Sequence, residues 1–202
     1  EISTRDWSSD VCSSDLPPLR SWLAGRLRQR IATSDTSVAT LAVNRGDAGA
    51  DRLFFARLAA ADTTPLPLLQ EAIDRFTSQP VEAVFRRQLQ LEGVPGWLRR
   101  TILRWNMRSA SAKRVTRIGT FSLSTLAGFS ATNRFHPTIC TTSLTYGPLD
   151  ADGRCLVTVI ADHRVLDGAT VARALARLEE ALLGAVAAEL RTARPVRAGA
   201  AA

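Results

Sequence analysis

The chain has 202 residues, 46% hydrophobic and 22% charged, which is the profile of one globular domain with a sizeable core. No apolar run reaches the ~18 residues a spanning helix needs, so no spanning helix is expected. The net charge is +7 and almost all of the positive charge is arginine, because Lys113 is the only lysine.

The segment Glu1–Leu16 is rich in Ser and Asp and unlike the rest of the Arg- and Ala-rich chain. It resembles translated sequencing-adapter read-through and lacks the basic start and apolar centre of a signal peptide. It is set apart from the fold, with the expectation that the natural start is missing. It holds one arginine against four acids, so residues 17–202 carry +10. Of the three cysteines, Cys12 falls in this segment. Cys140 and Cys155 lie in apolar, strand-like runs without C-x-x-C spacing and are expected to be buried reduced thiols, with no metal site.

From Pro17 to Arg30, Trp22, Leu23, Leu27 and Ile31 alternate with arginines and predict a short basic amphipathic helix. Thr36–Val43 and Arg52–Leu58 read as strands joined through the turn-forming stretch Asn44–Gly49, a hairpin. A helix then starts at Pro65, with Thr63 or Thr64 as its cap and Leu68, Leu69, Ala72, Ile73 and Phe76 on its inner face. Val81–Leu91 and Trp97–Met107 predict two further helices, separated by Gly93-Val-Pro-Gly96.

No acidic residue stands between Glu92 and Asp150, while Arg99, Arg100, Arg104, Arg108, Lys113, Arg114, Arg117 and Arg134 all fall there. Four readings compete: a solvated helix face, an anionic membrane surface met by the helix region 97–117 and its tryptophans, nucleic acid, or the phosphates of a nucleotide-bearing acyl carrier. Nucleic acid is disfavoured because its motifs are absent; the first two are favoured.

Ile118–Ser124 reads as a strand, and Thr138–Tyr146 with Arg154–Ile160 as a hairpin around Gly147–Gly153. His136 is read as a loop residue. After the second hairpin strand comes Asp162-His-Arg-Val-Leu-Asp-Gly168, and from Ala169 an amphipathic helix with Val171, Leu175, Leu178, Leu182 and Leu183 on one face. A histidine in the turn after a strand is well placed for chemistry, and Gly168 is expected to ease the turn into the helix. The tail from residue 191 to 202 has little to bury and is expected to be disordered.

The segment from Asp162 to Gly168 resembles the D-H-R-x-x-D-G signature of the acyltransferase catalytic domains of 2-oxo acid dehydrogenase complexes, whose fold chloramphenicol acetyltransferase shares. The Gly-Thr-Phe-Ser-Leu-Ser124 stretch is similar to the family's G-x-F-T-I-S-type strand. The resemblance covers residues 36–78 weakly and 117–184 well, and implies an α/β fold of the α+β two-layer kind. It also implies one catalytic domain over residues 17–190, with a basic helical insertion at 80–117 that departs from the family. It assigns His163 as general base, Ser124 as stabiliser of the tetrahedral oxyanion, and Asp167, Asp162, Arg164 and Gly168 as supports of the active segment. Arg164 is expected to pair with a carboxylate. The implied reaction moves an acyl group between coenzyme A and a thiol such as dihydrolipoamide on a partner, in a cytoplasmic homotrimer that joins His163 and Ser124 of neighbouring subunits, with no metal and no nucleic acid; the membrane reading of the basic helix 97–117 would make it membrane-peripheral. The alternative is a non-catalytic relative that keeps the fold for assembly or membrane association.

Overall fold

The computed structural model describes residues 16–47, 50–136 and 138–192; the expectations for the N-terminal segment up to residue 15 and for the tail beyond 192 lie outside the described residues. Its centre is a five-stranded mixed sheet in the order β4-β3-β5-β6-β7, built from β3 (Val38–Asp47), β4 (Ala50–Ala59), β5 (Phe121–Thr125), β6 (Thr142–Leu149) and β7 (Cys155–Ala161). β3 and β4 are antiparallel, as are β6 and β7, and these are the two expected hairpin pairs. β5 enters between them and runs parallel to both β3 and β6.

Helices α1 (Leu66–Ser78), α2 (Val81–Val84) and α3 (Arg86–Glu92) cover one face of the β3–β4 pair. Period-two alternation turns Val43, Phe54 and Ala56 towards them, where they pack with Phe76, Val81 and Phe85. Phe54 stacks on Phe85 with ring centroids 4.7 Å apart, and Phe76 approaches the same ring at 5.7 Å. The run read as a single helix over 81–91 is broken at Phe85, whose backbone leaves the helical region as its ring enters this cluster. Thr63 and Thr64 do not cap α1. Their hydroxyls donate to the Ala60 carbonyl, and the Leu66 N–H is met instead by Glu189 Oε1 at 3.3 Å. Glu189 belongs to α7 (Ala187–Thr192), so a carboxylate from the C-terminal end of the chain satisfies the positive end of α1.

The predicted helix over 17–30 is corrected. The chain forms a 3-10 turn at Pro17–Arg20, then β1 (Ser21–Ala24) and β2 (Arg30–Thr33), a two-stranded antiparallel sheet. Gly25 adopts φ +96°, and a Cβ there would lie 2.2 Å from the Arg28 carbonyl oxygen, so the chain reverses where a helix would continue. Trp22 is only 3% exposed, whereas Leu27, read as part of the same stripe, is fully exposed at the tip of the turn. Trp22 and Ala24 pack with Val38 and Val115 on the opposite face of β3 from the Phe54 cluster.

The basic stretch 97–117 is two helices, α4 (Gly96–Arg108) and α5 (Lys113–Ile118). Its arginines do not act as one solvated face. Arg114 is buried over the Trp22 ring at 4.6 Å and donates to the Met107 and Gly119 carbonyls, and burial lowers its pKa. At the α5–β5 junction Gly119 takes φ +94°, where a Cβ would meet Thr40 Oγ1 at 2.2 Å. The final helices are α6 (Gly168–Ala181), which lies against β7, and α7, joined by one π turn at Leu182–Val186. Of the stripe predicted from Ala169 onwards, Leu175, Leu182 and Leu183 are exposed. Among the described residues no helix is long and apolar enough to cross a membrane.

The three-ring cluster lies within the apolar core between the β3–β4 pair and helices α1 to α3. Truncating Phe54, which is fully buried, to alanine is expected to lower unfolding free energy by about 3–5 kcal/mol, read from denaturant melts; a loss below ~1 kcal/mol would show that the cluster is not a cooperative core.

Candidate active site

β7 ends at Ala161 and the sequence Asp162–Gly168 turns the chain into α6. Asp162 builds the turn. Its N–H donates to the Thr141 carbonyl at 2.8 Å, extending the ladder with β6, and its own carbonyl accepts from the Val165 and Leu166 N–H groups at 2.9 and 3.0 Å. Its carboxylate accepts from the Arg164 N–H at 3.1 Å and takes Nε and Nη2 of the Arg164 guanidinium at 2.9 and 2.7 Å. This bidentate pair is the carboxylate partner expected for Arg164. The Arg164 hydrogen bonds hold Asp162 below its ordinary pKa against a smaller opposing effect of burial, and Asp162 in turn raises Arg164.

Leu166, 2% exposed, pins the turn to the body of the protein. Asp167 then caps α6: its Oδ1 accepts from the Thr170 N–H at 2.6 Å. The Thr170 hydrogen bonds depress the Asp167 pKa, with smaller contributions from Arg173 and His163. Between these anchors stands His163, exposed to solvent. Its ring makes no hydrogen bond to a described residue.

Gly168 departs from its expected role. It is the first residue of α6, has no positive φ, and a Cβ there would meet nothing within 4 Å. The turn is closed by the two aspartates and Leu166, so it does not need a glycine's backbone freedom.

Ser124 sits half-buried in β5, opposite Thr145 of β6, and its hydroxyl bonds no described residue. Phe121, Thr142 and Ala161 are aligned across three strands, as are Ser124, Thr145 and Thr158. Ser124 and Ala161 therefore differ by three register steps and two strand spacings, roughly 14 Å, and His163 lies further beyond Ala161. One copy of the chain does not bring Ser124 and His163 together.

His136 is more than a loop residue. Its Nε2 lies 2.5 Å from Ser143 Oγ, which accepts from Ser122 Oγ at 2.7 Å. Ser122 Oγ also meets Thr138 Oγ1 at 3.3 Å, and the buried His136 Nδ1 has no hydrogen-bond partner among the described residues. The sequence signal for this network is the alternation of hydroxyls at Ser122 and Ser124 and at Thr141, Ser143 and Thr145, which puts Ser122, Ser124, Ser143 and Thr145 on one face. Cys140 is buried beside it, and burial pushes its thiol up to about 11 against the opposing pull of Arg114 and Arg57, so it stays protonated at neutral pH. Cys155, expected to be buried, is exposed at the first residue of β7. Among the described residues no group of His, Cys, Asp and Glu gathers that could hold a metal ion.

Both turn aspartates titrate below the ordinary carboxylate value of 3.8. Their contribution to stability is therefore fully present above that value and is lost as pH falls through the depressed folded values. The variant D162N/D167N keeps hydrogen-bonding side chains, including a good cap, but removes the charges. Its thermal melts are expected to lose less stability than those of the parent as pH falls from about 4 to about 2; identical acid limbs would refute this linkage.

No protein-family model and no curated protein sequence matches the chain. Solved structures do. The cubic core of the pyruvate dehydrogenase multienzyme complex superposes with a TM-score of 0.56 at 20% identity, covering 93% of this chain and 69% of that one. Dihydrolipoamide acetyltransferase of Azotobacter vinelandii, studied for the roles of a serine, a histidine and an asparagine in its catalytic mechanism, gives 0.58 at 18% identity, over 91% of this chain and 68% of that one. A truncated catalytic core of the 2-oxoacid dehydrogenase multienzyme complex from Thermoplasma acidophilum gives 0.55 at 15%, over 90% and 72%. The mixed sheet with its helices is thus the fold of the catalytic cores of 2-oxo acid dehydrogenase acyltransferases.

Proposed function

We propose that the protein is an acyltransferase that moves an acyl group between coenzyme A and a thiol acceptor of the dihydrolipoamide kind, with its active site formed between copies of the chain. The observation that carries this reading is the His163 turn: an exposed imidazole in a segment fixed on both sides by Asp162 and Asp167. The backbone that carries the base is held in place, which supports a role in proton transfer. The fold likeness supports the reaction class. In the Azotobacter protein the histidine and asparagine under study are four positions apart, as His163 and Asp167 are here.

In the forward step His163 takes the proton of the acceptor thiol as its sulfur attacks the thioester carbonyl. A free thiol titrates near ~8.5 and imidazole near ~6.5, so the base is needed at neutral pH. The carbonyl oxygen becomes an oxyanion and accepts a hydrogen bond from the Ser124 hydroxyl of a neighbouring copy. Collapse expels the coenzyme A thiolate, which recovers the proton from the imidazolium. Charge and atoms balance, and the histidine ends neutral.

The register separation of Ser124 from His163 supports a site shared between subunits, for which a homotrimer is the proposed assembly. An apolar surface near Ser124 supports it further. The segment from Leu126 to Phe135 folds back along β6, tied by Thr145 Oγ1 to the Asn133 carbonyl at 2.8 Å. It leaves Phe129 70% and Phe135 85% exposed, with Leu126, Tyr146 and Leu149 also exposed. Apolar groups gathered on a surface in this way mark an interaction face.

Replacing His163 by alanine is expected to lower the rate of thiol release from acetyl-CoA, with dihydrolipoamide as acceptor, by about 10²–10⁴, and Ser124 by alanine by about 10²–10³. Subunit mixing is the sharper measurement. Mixed oligomers of H163A and S124A contain sites with both native groups and should recover part of the parent rate. No recovery in oligomers that demonstrably mix, or equal rates for parent and H163A, would overturn the proposal and leave assembly as the function of the fold.

A further inference from the structure

The end of α4, the β1–β2 turn and the His163 turn meet around a concavity of about 240 Å³. Arg104 and Arg108 line it from one face of α4, spaced one helical turn apart, and Arg164 lines it from the segment after β7. Leu23, Gln29 and Met107 complete much of the wall. Three arginines thus line one small space.

The site is built rather than incidental. The end of α4 is fixed by donors to its last carbonyls: the Gly25 N–H to Arg108 at 2.8 Å, Trp22 Nε1 to Ser109 at 2.8 Å and Arg114 Nε to Met107 at 3.3 Å. These donors satisfy groups that would otherwise repel an anion at a helix C-terminus. Arg164 is held by Asp162 through Nε and Nη2, which leaves its Nη1 edge uncommitted. Among the described residues Asp162 is the carboxylate engaged at this cluster, and it offsets only one of the three positive charges. Arg104 and Arg108 form no ion pair with a described residue.

Like charges lining a shared concavity are stabilised by an anion between them. The guanidinium fork matches the oxygens of a phosphate group in geometry as well as charge. The volume, roughly eight times a water's share of the liquid, holds a phosphate and part of the group it esterifies, with Leu23 and Met107 as apolar contacts for the latter. We propose that Arg104, Arg108 and Arg164 form a binding site for a phosphate group. The ligand is either a soluble nucleotide-type phosphomonoester or an anionic phospholipid headgroup. The proposal does not depend on acyl transfer, although a ligand held by Arg164 lies beside the turn that carries His163.

The test uses the full chain, with isothermal titration of coenzyme A, dephospho-coenzyme A and inorganic pyrophosphate, and flotation with phosphatidylglycerol or phosphatidylcholine vesicles. R104Q/R108Q is expected to weaken the binding of whichever phosphate probe binds by tenfold or more, while R86Q/R87Q, the same loss of charge on α3, changes it less than twofold. Tighter binding of coenzyme A than of its dephospho form assigns the soluble phosphomonoester; binding to phosphatidylglycerol vesicles alone assigns the lipid. Failure of every probe to bind, or equal weakening by the two double variants, overturns the site. Circular dichroism melts check folding, and if R104Q/R108Q unfolds, R104K/R108K keeps the charge and should still weaken binding through loss of the fork. Acetyl-CoA turnover measured on the same variants separates the two proposals, because phosphate binding without turnover leaves this site standing and removes the acyltransferase reading.

Discussion

The parallel entry of β5 between β3 and β6 is the constraint on which the rest of the structure depends. It sets the registers that align Phe121 with Thr142 and Ala161, and Ser124 with Thr145 and Thr158. A parallel strand cannot be reached by a tight hairpin; it needs a crossover. For the consecutive parallel pair β5 and β6 that crossover is the link 126–141, while the more than sixty residues between β4 and β5 hold helices α1 to α5 and bring the chain back to the end of β3 where β4 stopped. The junction is correspondingly tight. Gly119 reverses the chain beneath Thr40, Thr40 Oγ1 donates to the Ile118 carbonyl at 2.6 Å, and Thr120 Oγ1 both accepts from the Val38 N–H and donates to the Val38 carbonyl. Buried hydroxyls are costly unless paired, and here they lock the position at which β5 begins.

That lock reaches the candidate site from both directions. On β5 it fixes the height of Ser124. On β6 it fixes Thr142 and, through the Thr141 carbonyl that receives the Asp162 N–H, the start of the His163 turn. Two residues far apart in one copy are therefore each placed by the same strands, as the proposed site between copies demands. The His136–Ser143–Ser122 network ties the loop before β6 to the same strands, so the face carrying Ser124 is braced on its polar side as well.

Much of this was legible in the residues. The β3–β4 and β6–β7 hairpins follow from period-two alternation and turn chemistry. The Asp162–Gly168 segment announces a strand–turn–helix by its neighbours. What was not legible depends on contacts distant in sequence. Trp22, Leu23, Leu27 and Ile31 fit a helical stripe, but Trp22 finds Arg114 and the Ser109 carbonyl, about ninety positions on, and tertiary pairing overrides the local period. Thr64 looks like a cap, but Glu189 takes that place from the other end of the chain. Gly168 matches a motif whose need for glycine this chain does not show by itself, since its Cβ direction is open. His136 gave no local signal, because its partner Ser143 is defined only once the strands are in register.

The arginines show the same point in terms of charge. In sequence the stretch from Arg99 to Arg134 is a single basic block, and a block of like charge is ordinarily a solvated face. Folding sorts it. Arg114 is consumed as a structural donor beneath Trp22, and Arg117 reaches Asn106 Oδ1 at 2.6 Å. Arg104 and Arg108 are left unneutralised by any described carboxylate and are brought beside Arg164, sixty positions away in the chain. Arg164 itself is neutralised by Asp162. Placing Arg104 and Arg108 on the wall shared with Arg164 raises the local potential there, next to the turn that carries the histidine.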